Sequence, residues 1–267
     1  MEDTKQPATP RSRAVALTIV LAALYATTKL IFLSAIIGVG GRFFTAADAL
    51  APLYGIFFGP YIGTMGVIVG TFIGISLTGQ TLFLGLDFFP ATVNTITVAL
   101  LMRKKRVQAA IIFTALLLAF SLNPDTSLLI PIPNSSISIP YIWMHLIALA
   151  VLVSPLPSKA AEAITRASGK TLPLYVAILS FIGTMTQHLM GNTLFETILG
   201  SLQGYVPNGG WPLLWQTTFW IYPVERILIT IIASAVGSPL VRALRNIQLQ
   251  SWVALGIRTA TREGGGP

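Results

Sequence analysis

The sequence predicts an all-α fold, a polytopic transmembrane helical bundle of about six to eight helices, and three observations support this prediction. Apolar residues make up 54% of the 267 positions, charged residues make up only 10%, and the mean hydropathy is +0.75. A soluble globular chain carries about 25% charged residues, so this chain has too few to cover a water-exposed surface. The apolar residues are grouped in runs separated by charges, prolines or polar clusters, as in membrane-spanning helices.

The apolar runs predict up to eight spans within one transmembrane domain at residues 13–245, with polar tails at 1–12 and 246–267. A span usually takes about 20 residues, and several of the runs are shorter, so the number of crossings stays between six and eight. The runs lie at 14–37, 44–58, 60–78, 86–102, 107–122, 140–154, 173–191 and 216–238.

Most of the 17 basic residues fall in segments on one side of the predicted bundle. The segments 79–85, 123–139 and 192–215, on the other side, contain no Lys or Arg. Because short cytoplasmic loops are enriched in Lys and Arg, we expect a multi-pass protein of the cell membrane with both termini in the cytoplasm. This placement accounts for the net charge of +8 without a nucleic-acid partner.

The usual signatures of catalysis are missing from the sequence. There is no cysteine, and the two histidines lie on different predicted spans without a His-Glu-x-x-His pattern. Gly169-Lys170-Thr171 resembles the end of a phosphate-binding loop, but Ile164 stands where that loop requires glycine. The sequence therefore predicts a protein that is not an enzyme and holds no metal or cofactor, and any ATP-driven process would need a separate ATPase subunit.

Polar and ionisable residues within the predicted spans mark a candidate site. Such groups are costly in hydrocarbon and usually line a cavity or pathway, and here they gather in the outer half of the predicted bundle. The candidate substrate-binding residues are Asp87, Asn94, His188, Asn192, Trp220, Glu225 and Arg226.

Several of these candidates, and other polar residues within the predicted spans, also have purely structural interpretations. Asp87 precedes Pro90 and is as well suited to cap a helix as to contact a ligand. Asp48 belongs to a Thr45-x-x-Asp48 capping box. Trp220 fits an aromatic belt at the membrane interface. His145 fits a hydrogen-bonded residue inside the bundle.

Small residues recur at helical spacing in the first and third predicted spans. Glycines at one face of the third span would let a neighbouring backbone approach closely, and Ala22 and Ala26 form a similar step in the first span. The glycines are Gly59, Gly63, Gly66, Gly70 and Gly74.

These features, together with Ala22-Ala23-Leu24-Tyr25-Ala26, the stretch from Ala51 to Pro60 and the basic cluster Arg103–Arg106, carry a family resemblance. Over residues 12–106 and 172–246, the chain resembles the substrate-binding S component of an energy-coupling factor (ECF) transporter. The resemblance implies capture of a vitamin-like small molecule from outside, and association with a transmembrane coupling subunit and ATPase subunits. It also implies that Ala22 and Ala26 contact the coupling subunit.

S components usually have six helices, so the segment 107–171 is expected to add a hairpin to such a core. Two other classes of function stay open from the sequence alone. One is an intramembrane enzyme with His188, Glu196 and Glu225 as acid–base groups. The other is a membrane scaffold whose polar residues merely pair between helices.

Overall fold

The computed structural model describes residues 10–35, 43–167, 169–207 and 209–246. Most of the two predicted tails, residues 1–9 and 247–267, therefore lies outside the described residues. The fold is all-α as predicted, with about 75% of the chain in helices. Among the described residues, strands form only two short antiparallel hairpins.

Eight of the nine described α-helices overlap a predicted apolar run. The nine are α1 (Pro10–Thr28), α2 (Ala46–Phe58), α3 (Thr64–Thr78), α4 (Phe89–Met102), α5 (Arg106–Ser121), α6 (Trp143–Val153), α7 (Leu156–Arg166), α8 (Leu172–Leu194) and α9 (Trp211–Asn246). One π-helical turn, Gly59–Gly63, precedes α3, and another, Phe195–Leu202, extends α8. The strands are β1 (Phe32–Ala35), β2 (Phe43–Thr45), β3 (Leu129–Pro131) and β4 (Ser138–Pro140).

The predicted first span, 14–37, is wrong at its C-terminal end. Helix α1 ends at Thr28, and the chain then enters β1, which pairs with β2 so that Phe32 lies opposite Thr45. Residues 30–33 are apolar, and a short apolar run does not distinguish a strand from the continuation of a helix. The hairpin places β1 and β2 over one end of the bundle.

Three helical stretches among the described residues are long and apolar enough to cross a membrane: 46–78, 172–202 and 211–244. A fourth is added if α6 and α7, which are bent by 67° at their junction, count as one span. The stretch 46–78 is itself folded back at Gly59, whose φ of +71° suits a residue without a side chain. An ideal Cβ at Gly63 would lie 2.6 Å from the carbonyl oxygen of Tyr54, so α3 returns alongside α2.

The glycine face of α3 packs against α1, as the sequence predicts. An ideal Cβ at Gly70 would approach the carbonyl oxygen of Ala22 to 2.7 Å, and one at Gly66 would lie 3.0 Å from Cβ of Leu21. The hydroxyl of Tyr54 completes this contact by donating a hydrogen bond of 2.8 Å to the carbonyl oxygen of Leu21. Helices α1, α2 and α3 therefore form one closely packed unit.

Basic side chains meet at one end of the bundle, which we call the basic end. Lys104 Nζ lies 2.9 Å from Glu162 Oε1 of α7, and Arg106 donates a hydrogen bond of 2.7 Å to the carbonyl oxygen of Ser154. Arg103 lies over the ring of Tyr61 in the turn between α2 and α3. The opposite end, which we call the cavity end, carries the two strand hairpins and the loop between α3 and α4.

The segment 107–171 forms α5, α6 and α7, all of which pack against α8. Helix α7 is an addition to the predicted hairpin: its buried face carries Ala160, Ala161 and Ile164, while Glu162 on the other face is exposed. Helix α8 is thus enclosed by the added helices on one side and by α4 and α9 on the other.

Candidate functional site

A cavity of about 180 Å³ lies at the cavity end, between α1, α2, α8 and α9 and beneath the β1–β2 hairpin. Its walls combine aromatic rings with a small number of polar and charged groups, which is typical of small-molecule sites. The aromatic residues are Tyr25, Phe32, Phe44, Phe83 and Phe195. The polar and charged residues of the wall include Lys29, Asp48, Asp87, Gln187, His188, Asn192 and Arg226.

A hydrogen-bonded chain crosses three helices at the base of the cavity. Asn94 of α4 donates from Nδ2 to Oε1 of Gln187 at 2.7 Å. Gln187 of α8 in turn donates from Nε2 to Oδ1 of Asp48 on α2 at 2.5 Å. Asp48 Oδ2 accepts a hydrogen bond of 2.8 Å from the backbone N–H of Thr45, so the residue caps α2 and lines the cavity at once. Asn94 itself is fully buried and does not reach the cavity wall.

Asp87 organises the loop at the mouth of the cavity. Its Oδ2 accepts from Thr81 Oγ1 at 2.6 Å, and its Oδ1 accepts from the backbone N–H of Leu82 at 2.6 Å. A longer bond of 3.3 Å comes from the backbone N–H of Phe83. The carboxylate therefore caps the preceding loop rather than α4, and it holds Leu82 and Phe83 in the cavity wall.

Arg226 brings a buried positive charge to the cavity from α9. Its side chain is 1% exposed, and its guanidinium carbon lies 4.4 Å from the ring centroid of Phe44. Its Nη2 is 3.6 Å from Oε2 of Glu225, while Oε1 of Glu225 accepts a hydrogen bond of 2.8 Å from Ser34. The two adjacent charges thus point in different directions: Arg226 faces the cavity, and Glu225 fastens β1 to α9.

Three stacked rings support the wall behind His188. The rings of His145 and His188 are nearly parallel at 5.2 Å between centroids, and Tyr222 stacks on His188 at 4.9 Å. His145 Nε2 and His188 Nδ1 lie 3.1 Å apart, within hydrogen-bond distance. The hydroxyl of Tyr222 donates to the carbonyl oxygen of Tyr141 at 2.8 Å. The column joins α6, α8 and α9, so His145 is a hydrogen-bonded bundle residue.

The remaining predicted site residues are spread more widely. Asn192 lines the cavity beside His188. Trp220 is 52% exposed on the outer surface of α9, where it contacts Phe219, and it does not line the cavity. Glu196 is fully buried and accepts a hydrogen bond of 2.6 Å from Thr126, also away from the cavity. Of the three acid–base groups considered for an enzyme, only His188 lines it.

Ala22 and Ala26 lie inside the bundle, each 1% exposed, and Ala22 is packed against α3. Either residue could reach another subunit only if α3 moved away. The face that α1 exposes carries Val15, Ile19 and Val20 instead.

Several residues of the cavity were not selected from the sequence. Tyr25, Phe32 and Phe44 carry no sequence signal that separates them from ordinary apolar residues. Lys29 and Gln187 were visible as polar groups within predicted spans, but nothing local showed that they face the same space.

Among the described residues, no group of three or more His, Asp or Glu side chains is arranged to hold a metal ion. The cavity is therefore defined by hydrogen-bonding, charged and aromatic side chains. No protein-family model, curated protein or solved structure matches this chain.

Proposed function

We propose that this chain is a multi-pass protein of the cell membrane, with the basic end in the cytoplasm and the cavity end outside. Two observations support this proposal. The outer surfaces of α1, α3 and α9 expose large apolar side chains, among them Ile19, Phe72 and Val224, whereas soluble monomers rarely expose extended apolar patches. The basic cluster Arg103–Arg106 lies at the end of the bundle opposite the cavity, and the enrichment of Lys and Arg in cytoplasmic loops favours placing that end in the cytoplasm.

Within the membrane, the protein acts as the substrate-binding subunit of an ECF-type uptake transporter and captures a vitamin or related micronutrient from the outer side. The observation that carries this proposal is the cavity at the end opposite the basic cluster, where aromatic walls surround a few fixed polar groups. Such a site works by binding and not by covalent chemistry. In this proposal, α1, α2, α3, α4, α8 and α9 form the S-component-like core, and α5–α7 are the addition.

Uptake would require partners, because nothing in this chain binds or hydrolyses ATP by a recognisable motif. The resemblance supplies them as a transmembrane coupling subunit and ATPase subunits. Since Ala22 and Ala26 are covered by α3, docking in the present arrangement would involve the exposed face of α1 that carries Val15, Ile19 and Val20.

Native mass spectrometry of the gently extracted protein tests the binding function. We expect a small molecule that stays bound in the gas phase and is released unchanged on denaturation. Gly191 lines the cavity with open space in front of its missing Cβ, so Gly191→Phe should fill the cavity and abolish retention. Thr197→Phe, which places the same side chain on the exposed face of the following turn, is the matched control.

The outcomes separate the three classes of function. A molecule lost from Gly191→Phe and kept by Thr197→Phe supports a binding subunit. Turnover of the retained molecule by the purified protein would favour an enzyme. The absence of any bound molecule, in the unaltered protein extracted from cells grown in rich medium, would contradict the proposal and favour a scaffold.

A further inference from the structure

Two positive side chains line the cavity, and neither has a carboxylate oxygen within hydrogen-bond distance among the described residues. Arg226 is 1% exposed, and its Nε and Nη2 have no hydrogen-bond partner among the described residues. Lys29 also lines the cavity, with Nζ 5.9 Å from the ring centroid of Tyr25. In the part of the chain that the structure describes, no Asp or Glu lies within ion-pair distance of Lys29. The cavity thus presents two cations.

The two acids of the cavity wall are already engaged. Both oxygens of Asp48 accept hydrogen bonds, one from Gln187 and one from the backbone of Thr45. Both oxygens of Asp87 accept hydrogen bonds from the loop that follows α3. These carboxylates are held in place by the protein, and among the described residues neither forms an ion pair with Lys29 or Arg226.

A buried guanidinium without full hydrogen bonding is costly, because its donors have lost water without gaining equivalent partners. Glu225 compensates for only part of this cost: its nearer oxygen is 3.6 Å from Arg226, and its other oxygen is bound to Ser34. The planar N–H donors of an arginine match the two oxygens of a carboxylate or phosphate. An anionic group on the ligand would complete the site.

We infer that the ligand is a monocarboxylate with a flat or apolar body, whose carboxylate binds Arg226 and lies within reach of Lys29. This inference rests on the proposed binding function and adds the chemical class of the ligand. A single negative charge is favoured over the two of a phosphate monoester, because the carboxylates of Asp48 and Asp87 also line the cavity and would repel a second negative charge. The rings of Tyr25, Phe83 and Phe195 supply surfaces for the apolar body.

The test compares matched probes on the purified, detergent-solubilised full-length protein. The panel contains benzoate, indole-3-acetate and cyclohexanecarboxylate, each beside its neutral amide, together with phenyl phosphate. Binding is measured by calorimetry and by the rise in Tm. Within each pair that binds, we expect the carboxylate to bind at least tenfold more tightly than the amide and more tightly than phenyl phosphate.

Single-residue variants show which side chains cause the preference for a carboxylate over its amide. Arg226→Gln should abolish the preference for carboxylate over amide, and Arg226→Lys, which keeps the charge but loses the planar fork, should retain part of it. Lys29→Gln should reduce the preference for a carboxylate over its amide about tenfold. Lys104→Gln removes a cation at the basic end, 63% exposed, and should leave the preference intact. If Arg226→Gln does not fold, Arg226→Lys and Lys29→Gln still carry the test.

The failure of the inference is distinct from the failure of the proposed function. If the amides or phenyl phosphate bind as tightly as the carboxylates, the inference is overturned and the proposed function is not. The same holds if all three cavity variants keep the full preference for a carboxylate over its amide. A neutral or cationic molecule retained in native mass spectrometry would likewise overturn the inference alone. A retained molecule that carries a carboxylate would support the inference even where the bodies of the panel do not fit. No retained molecule and no binding by any probe would overturn both.

Discussion

Gln187 and Asp48, which are 139 positions apart in sequence, are joined by a hydrogen bond at the base of the cavity. Because the amide of Gln187 also accepts from Asn94, a single side chain connects α2, α4 and α8. Gln187 is 5% exposed and Asn94 is fully buried, so water cannot readily replace the bond between them. This relationship fixes the mutual position of the three helices on which the cavity depends.

Replacement of Gln187 by leucine should therefore destabilise the protein. The change leaves buried Asn94 Nδ2 without an acceptor, which costs about 1–3 kcal/mol, and it also removes the amide donor of half-buried Asp48 Oδ1. We expect a clear fall in Tm of the detergent-solubilised protein. Gln108→Leu, at an exposed position of α5, is the control. Equal Tm values for the two variants would show that the chain of hydrogen bonds does not stabilise the bundle.

The contact between α1 and α3 depends on the absence of a side chain at Gly70. A Cβ there would lie 2.7 Å from the carbonyl oxygen of Ala22 and 2.8 Å from Cβ of Tyr25, neither of which can move without shifting α1. We expect Gly70→Ala to destabilise the protein by about 1–3 kcal/mol. Gly191→Ala, also in a helix but with open space around the new methyl group, should be neutral or slightly stabilising. Chemical denaturation in detergent compares the two, and similar midpoints would contradict the close packing.

The proposed orientation can be measured directly, because the chain has no cysteine of its own. Ser136→Cys places a thiol on the exposed β3–β4 connection at the cavity end, and Lys105→Cys places one at the basic end. A membrane-impermeant thiol reagent should label Ser136→Cys in intact cells and Lys105→Cys only after permeabilisation. Labelling in the reverse order would put the cavity on the cytoplasmic side and remove the basis for uptake from outside.

A substitution on the exposed face of α1 tests whether the proposed coupling subunit docks there without disturbing the fold. Val20→Trp adds a large side chain at a position that is 63% exposed, so Tm and ligand retention should stay unchanged while uptake by the assembled transporter falls at least tenfold. Ala22→Trp, at a buried position, should lower Tm instead. Leu118→Trp, on exposed α5, controls for added bulk. Normal uptake by Val20→Trp would remove this face of α1 from the proposed interface.

Local sequence patterns predicted most of the helices well, because every described α-helix except α7 overlaps an apolar run bounded by charge, proline or glycine. They also pointed to His188, Asn192 and Arg226, since polar groups are rare within such runs and all three line the cavity. The strand at Phe32–Ala35 was missed because apolarity alone does not fix backbone conformation. Helix α7 was missed because its charged face resembles a loop between spans.

The partners of the polar residues could not be predicted from the same patterns. The sequence suggests that Asp87 caps α4, but its carboxylate accepts hydrogen bonds from Thr81 and Leu82 in the loop between α3 and α4. Those partners depend on how that loop folds. Trp220 belongs to a run of aromatic residues, of which Trp215 and Phe219 are buried and Trp220 is exposed. Which of them face the bundle depends on how α9 is rotated about its axis. Such relationships depend on the register between distant helices, which local spacing does not contain.

Helix α8 runs without interruption for 23 residues from Leu172 to Leu194, a rod roughly 34 Å long at a rise of 1.5 Å per residue. Near one tip it holds Asn192 against the cavity, and near the other the carbonyl oxygen of Pro173 accepts a hydrogen bond from Ser234. Because a helix of this kind cannot shorten, an axial displacement imposed by a molecule bound in the cavity must also appear at the basic end of the bundle, or the helix must bend. In the proposed orientation, binding outside the cell would therefore change the cytoplasmic end of α8 even if the basic cluster did not move.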